Sequence, residues 1–239
     1  MSRALPGVQS IDEYLTSVEE AYTHDAYHSL SIEGYMVSED LINRVDSGGW
    51  NPDENATDAT KKNALACRGY LECFTKVKNN VKEGLEGTKA GVVARRNHGA
   101  WYRALFAPHV RSGILNAVAL AGYRNHPVFI KGSRHVPVNE RSVSDAMSTM
   151  FDRLESEDSP IVSAILGHWM LGYIHPYADG NGRMAKFLMN LMLSSGGYPW
   201  TTIKVDNRNK YMAALESASV SNDIQPFAKF IAHAVLAEE

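Results

Sequence analysis

Residues 175–186 read His-Pro-Tyr-Ala-Asp-Gly-Asn-Gly-Arg-Met-Ala-Lys, and their types and spacing suit a phosphate-handling turn that leads into a helix. Gly180 and Gly182 permit backbone conformations in which successive N–H groups converge on an anion. A helix expected from Arg183 to Ser195 adds its N-terminal N–H groups and dipole to that anion site. Arg183 and Lys186, three residues apart, share one face of its first turn, so both reach the same polyphosphate. Asp179 is a carboxylate just before this cationic cradle, where it suits a Mg²⁺ shared with substrate phosphates. His175 has an ordinary pKa near neutrality and can take a proton from an attacking hydroxyl. The chemistry these residues assemble is phosphoryl or nucleotidyl transfer to a hydroxyl.

Each residue taken alone has an ordinary alternative. His175 can be a helix-end histidine bonded to a carbonyl, Asp179 a turn residue or cap, and the glycines turn punctuation. It is their coincidence within twelve residues that favours chemistry.

The elements that must position the turn follow from pattern. Residues 161–174 form an apolar run with helical character, and Pro176 predicts its end at about His175, since the residue before proline is excluded from the right-handed α region. Residues 9–33 predict a helix capped by Ser10 or Asp12, with an apolar stripe of Ile11, Tyr14, Leu15, Val18, Tyr22 and Tyr27 and with Gly34 as its C′ stop. Ser38 caps a helix through Arg44 or beyond, and 46–53 is turn-rich. A long helix is expected over 61–82, ended by Gly84 and Gly87. Further helices are expected around 101–120, after Asn207 and over 226–236. Strand signals are confined to 123–138, where Val128-Phe129-Ile130 and His135-Val136-Pro137-Val138 flank a glycine-containing loop and predict a hairpin with an edge second arm.

The 175–186 segment resembles the signature of the Fic (Fido) family, His-Pro-Phe-x-Asp/Glu-Gly-Asn-Gly-Arg-x-x-Arg, departing from it at Tyr177 and Lys186. In that family the second arginine binds the nucleotide's γ-phosphate; Lys186 keeps the charge but not the planar fork. Ser29, Glu33 and Gly34 also match the inhibitory pattern Ser/Thr-x-x-x-Glu-Gly/Asn of the family's self-inhibited subclass with an N-terminal inhibitory helix. Ser29 and Glu33 lie one helical turn apart, and a carboxylate docked on Arg183 or Lys186 would take the charge position of a phosphate.

The resemblance implies an all-α Fic-type helical bundle with one small β-hairpin, the flap at 123–138, in a single domain over 1–239. The inhibitory segment would span 9–34. It further implies a protein adenylyltransferase (AMPylator) that moves AMP from ATP, with Mg²⁺, to a Ser, Thr or Tyr hydroxyl of a protein docked on the hairpin. In these terms His175 is the base and Asp179 the metal ligand, while Gly180, Asn181, Gly182, Arg183 and Lys186 hold the nucleotide. Tyr211 lies near the base or ribose, and Glu33 holds the enzyme off. The alternatives are other chemistries of the same fold (phosphoryl or phosphocholine transfer, or AMP removal) and a catalytically weak protein-binding module. Relatives in the family are often dimers, so the resemblance admits a homodimer without identifying an interface for one.

Bulk properties narrow the field. A chain of 239 residues, 44% hydrophobic and 21% charged, has enough length for one sizeable core. A formal net charge of −3 leaves no basic footprint for nucleic acid. Cys67 and Cys73 have no zinc spacing and read as buried thiols, which fits a cytoplasmic setting. No secretory leader is apparent, the 161–174 run is too short to span a bilayer, and the Asn55-Ala56-Thr57 sequon is expected to carry no glycan.

Overall fold

The computed structural model describes residues 10–50 and 58–237. The sequon and residues 51–53 of the expected turn-rich loop lie outside that range. Ten α-helices occur among the described residues: α1 (Ile11–Glu20), α2 (Tyr22–Ile32), α3 (Glu39–Asp46), α4 (Asp58–Leu85), α5 (Ala90–Arg111), α6 (Val143–Ser156), α7 (Pro160–Ile174), α8 (Asn181–Ser195), α9 (Arg208–Val220) and α10 (Gln225–Leu236). Short 3₁₀ turns occur at Ala117–Leu120, Glu140–Ser142 and Val205–Asn207. None of these helices is long and apolar enough to cross a membrane.

The core forms around α8, which packs on α7, α4, α5 and α2. Along it, Met184, Ala185 and every residue from Phe187 to Ser194 are buried. Each large apolar side chain taken out of water there contributes roughly 1.5–3 kcal/mol. The sequence pattern places the helix, and this burial holds it rigid at its N-terminal end, where the site lies.

Local chemistry sets the boundaries of the segment that approaches α8. Ser10 caps α1 by accepting from the Glu13 N–H at 3.2 Å. The helix expected over 9–33 divides at Ala21, and the Ser17 hydroxyl donates back to the Tyr14 carbonyl just before the break. Such back-bonding competes with the helical ladder and bends it. At the far end α2 closes in a Schellman motif: the Gly34 N–H donates to the Ser31 carbonyl and the Tyr35 N–H to the Leu30 carbonyl. Gly34 sits at φ +88°, where a side chain would be strained. Glu33 is thus the last residue before a sharp reversal, and its side chain leaves the helix end toward α8 rather than along α2.

The hairpin expected over 123–138 does not form, and no strand occurs among the described residues. The segment is an anchored loop. A turn does close from Ile130 to Ser133 with Gly132 at φ +81°, but the arms flanking it do not pair. Each arm carries a proline, Pro127 and Pro137, so ladder donors are missing on both sides. The remaining polar groups are claimed elsewhere. The carbonyls of His126 and Val138 accept from the Arg124 guanidinium, and the Arg134 N–H donates to the Glu216 carboxylate at 2.9 Å. Phe129 and Val136 are left 81% and 65% exposed on this loop.

Candidate active site

The site begins where α7 stops. His175 is its C-cap, at φ 54° and ψ 59°, so the residue before Pro176 leaves the right-handed region for the left-handed one rather than for extended backbone. The carbonyls freed at this helix end are capped by basic side chains: the His135 ring bonds the Tyr173 carbonyl at 2.9 Å, and Arg124 bonds those of Ile174 and His175. The His175 ring itself turns back, its Nδ1 3.3 Å from the Gly172 carbonyl. A carbonyl only accepts, so this bond puts the proton on Nδ1 and the lone pair on Nε2. Burial pushes the His175 pKa below its ordinary value, the nearby Arg124 cation adding to the effect, and the imidazole is therefore neutral near pH 7.

The turn from 176 to 180 is folded by Asn181. Its amide oxygen accepts from the Tyr177 N–H at 3.0 Å, and its nitrogen donates to the Tyr177 carbonyl at 2.8 Å. Of the expected nucleotide contacts, the Asn181 side chain is thus spent on holding the turn. Asp179 Oδ1 accepts from the Gly180 N–H at 2.6 Å. Its carboxylate is otherwise open, 68% exposed, with Oδ2 3.6 Å from Arg183. Gly180 sits at φ +80°, and a Cβ there would meet the Phe106 ring at 2.8 Å.

The two cations of α8 have different surroundings. Lys186 is buried, and its ammonium contacts Glu33 Oε1 at 3.0 Å, Ser29 Oγ at 3.3 Å and the Ser29 carbonyl at 3.4 Å. All three partners come from the end of α2. Arg183, 1% exposed, lies between the rings of Tyr35 and Phe106, each 5.1 Å away, and its Nε and Nη1 bond nothing among the described residues. Glu33 lies against Gly182 so closely that a Cβ on that glycine would fall 2.2 Å from Oε1. Burial by itself raises the Glu33 carboxyl; Lys186, then Arg183, and more weakly Arg208, outweigh it and hold the pKa below the ordinary value. Glu33 is a carboxylate seated on the helix N-terminus that an anion would use.

Tyr211 is the expected site residue that stands apart. It is buried, and its hydroxyl bonds His168 at 2.7 Å beside Phe227. Sequence reasoning missed Tyr35, Phe106 and Arg124. Tyr35 directly follows Gly34, a cue that was available, whereas the distance of Phe106 and Arg124 along the chain offered none. It also missed Asp25, buried on α2 and bonded to Tyr70 at 2.7 Å and Thr202 at 3.3 Å, whose carboxyl burial raises.

A buried guanidinium with unbonded nitrogens beside a glycine-opened helix start, with a neutral histidine at the preceding helix end, has the charge and the open donors to receive an anion. Residues 99–193 match the Fic/DOC family. The chain matches that family over the segment that carries the 175–186 turn. It is 30% identical over 238 residues to "Protein adenylyltransferase Fic" of Culex quinquefasciatus, covering 96% of this chain and 43% of the relative. The corresponding protein of Nematostella vectensis is 29% identical over 221 residues, 90% of this chain and 47% of the relative. The chain thus spans less than half the length of these curated relatives. Fic-1 of C. elegans (residues 134–508) superposes with a TM-score of 0.74 over 95% of this chain and 66% of that one, at 22% identity, a likeness of fold.

Proposed function

We propose that this chain is a protein adenylyltransferase held off by its own α2. The observation that carries the reading is Arg183, a buried cation with two unbonded nitrogens at the start of α8, together with a histidine at the end of the preceding helix whose Nε2 is free to act as a base. The names of the curated relatives support the same activity and make ATP the nucleotide.

On this reading Arg183 and Lys186 hold phosphate charge, with the backbone of Gly180, Asn181 and Gly182 lining the anion site and Tyr211 supporting the nucleoside side from the core. Asp179 is fitted to hold Mg²⁺: its side chain is 68% exposed, with Oδ2 meeting only Arg183 at 3.6 Å, and substrate phosphates would complete the shell. Bound there, the ion would neutralise phosphate charge. His175 Nε2 takes the proton of a Ser, Thr or Tyr hydroxyl on the target protein. The hydroxyl oxygen bonds the α-phosphorus, the bond from that phosphorus to the α,β-bridging oxygen breaks, and pyrophosphate leaves. Orientation and electrostatics supply the acceleration.

Inhibition in this reading is the Glu33 carboxylate, supported by Ser29 and aimed by the Gly34 reversal, standing where a nucleotide phosphate would bind. The 124–138 loop, with Phe129 and Val136 exposed, is the surface on which the target protein docks. The reading takes 1–239 as one domain. It also includes association of two copies, checked by sedimentation, and a cytoplasmic setting, supported by the buried unpaired thiols of Cys67 and Cys73.

The test is incubation of Glu33→Gly with Mg²⁺ and ATP labelled at the α- or the γ-phosphate, with Glu33→Gly/His175→Ala as control. Protein labelling from the α-label alone, lost in the control, is expected. A γ-label on the product would replace the reading with phosphoryl transfer. Absence of any label, together with no ATP binding, would leave a protein-binding module.

A further inference from the structure

We propose that Arg124 is a positioning residue for His175: one guanidinium bonded to the end of α7 and to both ends of the 124–138 loop fixes the backbone that presents the base. The proposal rests on His175 being that base, and its test separates the two.

The need for such a residue arises at His175 itself. A side-chain-bearing residue at φ 54° is uncommon, and one that precedes a proline is more so. Conformations of this kind persist only where the surroundings over-determine them. Arg124 is what determines this one. Its Nε–H donates to the His175 carbonyl at 2.7 Å, its backbone N–H donates to the Pro176 carbonyl at 2.9 Å, and Nη2 reaches the Ile174 carbonyl at 3.4 Å. Three consecutive carbonyls across the bend are therefore held by a single residue.

The rest of the guanidinium faces the loop. Nη1 donates to the His126 carbonyl at 3.0 Å and Nη2 to the Val138 carbonyl. Arg124 is buried, and no carboxylate lies within ion-pair distance of it among the described residues. A buried cation whose side-chain hydrogen bonds all go to backbone carbonyls, with Glu140 acting on it only at longer range, is committed to its geometry, because any displacement leaves charged donors unbonded. Lysine would not replace it: an ammonium has no planar fork with which to span carbonyls on two segments. With the backbone so held, the His175 ring keeps Nδ1 on the Gly172 carbonyl and Nε2 as the basic nitrogen. The charged or titratable groups that bear on the ring are Arg124, Glu33 and His135.

The experiment compares Arg124→Lys and Arg124→Gln with the parent in the Glu33→Gly background. AMP transfer is followed with α-labelled ATP, and the His175 ring by ¹⁵N NMR. We expect kcat to fall about 100-fold, the loss typical of a small misplacement of a reacting group, while KM for ATP changes by no more than about threefold. The ring is expected to lose its single Nδ1–H tautomer, and its pKa to rise. Unchanged kcat with an unchanged ring signal would overturn the proposal. So would a loss of thermal stability or a rise in KM with the tautomer preserved, since a merely structural role predicts that pattern. If the parent transfers no AMP, the proposed activity fails, and the ring signals still decide on Arg124. In the wild-type protein, with no substitution, a through-hydrogen-bond coupling from Arg124 Nε to the His175 carbonyl carbon is expected; its absence would also overturn the assignment.

Discussion

Two contacts meet at the turn between α7 and α8, and they are built differently. On one side the end of α2 reaches Lys186 through the side chains of Ser29 and Glu33 and the Ser29 carbonyl, with the Glu33 side chain 25% exposed at the rim. On the other, the 124–138 loop holds the end of α7 through side-chain donors on backbone carbonyls, centred on buried Arg124. The first contact leaves both helices intact if it parts, because α2 is closed by its own Schellman turn and α8 by its packing. The second cannot part without freeing the carbonyls of a helix end. A removable contact suits an occupant of the site; an irremovable one suits the frame around it.

The largest test of this contrast acts on the frame's product. In the Glu33→Gly background, His175→Ala is expected to lower AMP transfer by about 10²–10⁴-fold, the range for loss of a general base, with nucleotide binding kept. Equal transfer by the two proteins would remove His175 from the chemistry.

On the removable side, Glu33→Gly is expected to raise labelling by at least about tenfold, equivalent to ~1.4 kcal/mol of competition at the cradle. Calorimetric titration with ATP should show the same gain in affinity. Identical affinities with and without Glu33 would mean that its carboxylate does not compete. Lys186→Arg sharpens the comparison, since a planar fork bonds a carboxylate or phosphate at two points. In otherwise wild-type protein it should deepen inhibition severalfold, and in Glu33→Gly it should lower KM for ATP by a similar factor.

Acid should act on the core behind both contacts. Burial carries His168 down to about 3, so the unfolded chain binds more protons than the folded one between that value and the ordinary 6.5. Its contribution to stability is complete above about 6.5 and is lost as pH falls toward 3, with a slope of up to ~1.4 kcal/mol per pH unit. Glu33, held below its ordinary carboxyl value, adds a loss in the same direction below about 4.3, its ordinary value. Denaturant midpoints measured from pH 7 to 4 should fall steadily, and His168→Gln should flatten that slope.

The smallest effect is expected from Tyr211→Phe. It removes the hydroxyl bonded to His168, whose Nδ1 already lacks a partner, for a loss of roughly 1–2 kcal/mol. KM for ATP should stay within about twofold. A larger rise would bring Tyr211 out of the core and into contact with the nucleotide.

Much of this was legible along the chain because it is governed by neighbours in sequence. Ser10 and Ser38 cap the helices they precede, Gly34 takes the left-handed C′ position, and Pro176 ends α7 at His175. Each depends on hydrogen bonds spanning no more than five residues. The hairpin was misread for the complementary reason. Its β-branched and aromatic residues and its glycine-bearing turn are local, whereas the groups that claim its arms, Arg124 at its base and Glu216 on α9, depend on where distant segments pack.

The sequence by itself determined the residues with chemical potential and the helices that carry them, since residue type, spacing and capping act within a helical turn or two. Only the tertiary structure decided how those residues are used. It placed Glu33 against Gly182, occupied Lys186 while leaving Arg183 with unbonded nitrogens, and turned Asn181 and Tyr211 inward. It also bound His175 to Arg124, 51 positions earlier in the chain. The physical reason is that a buried polar group must find a partner somewhere, and which partner it finds is settled by packing rather than by proximity along the chain.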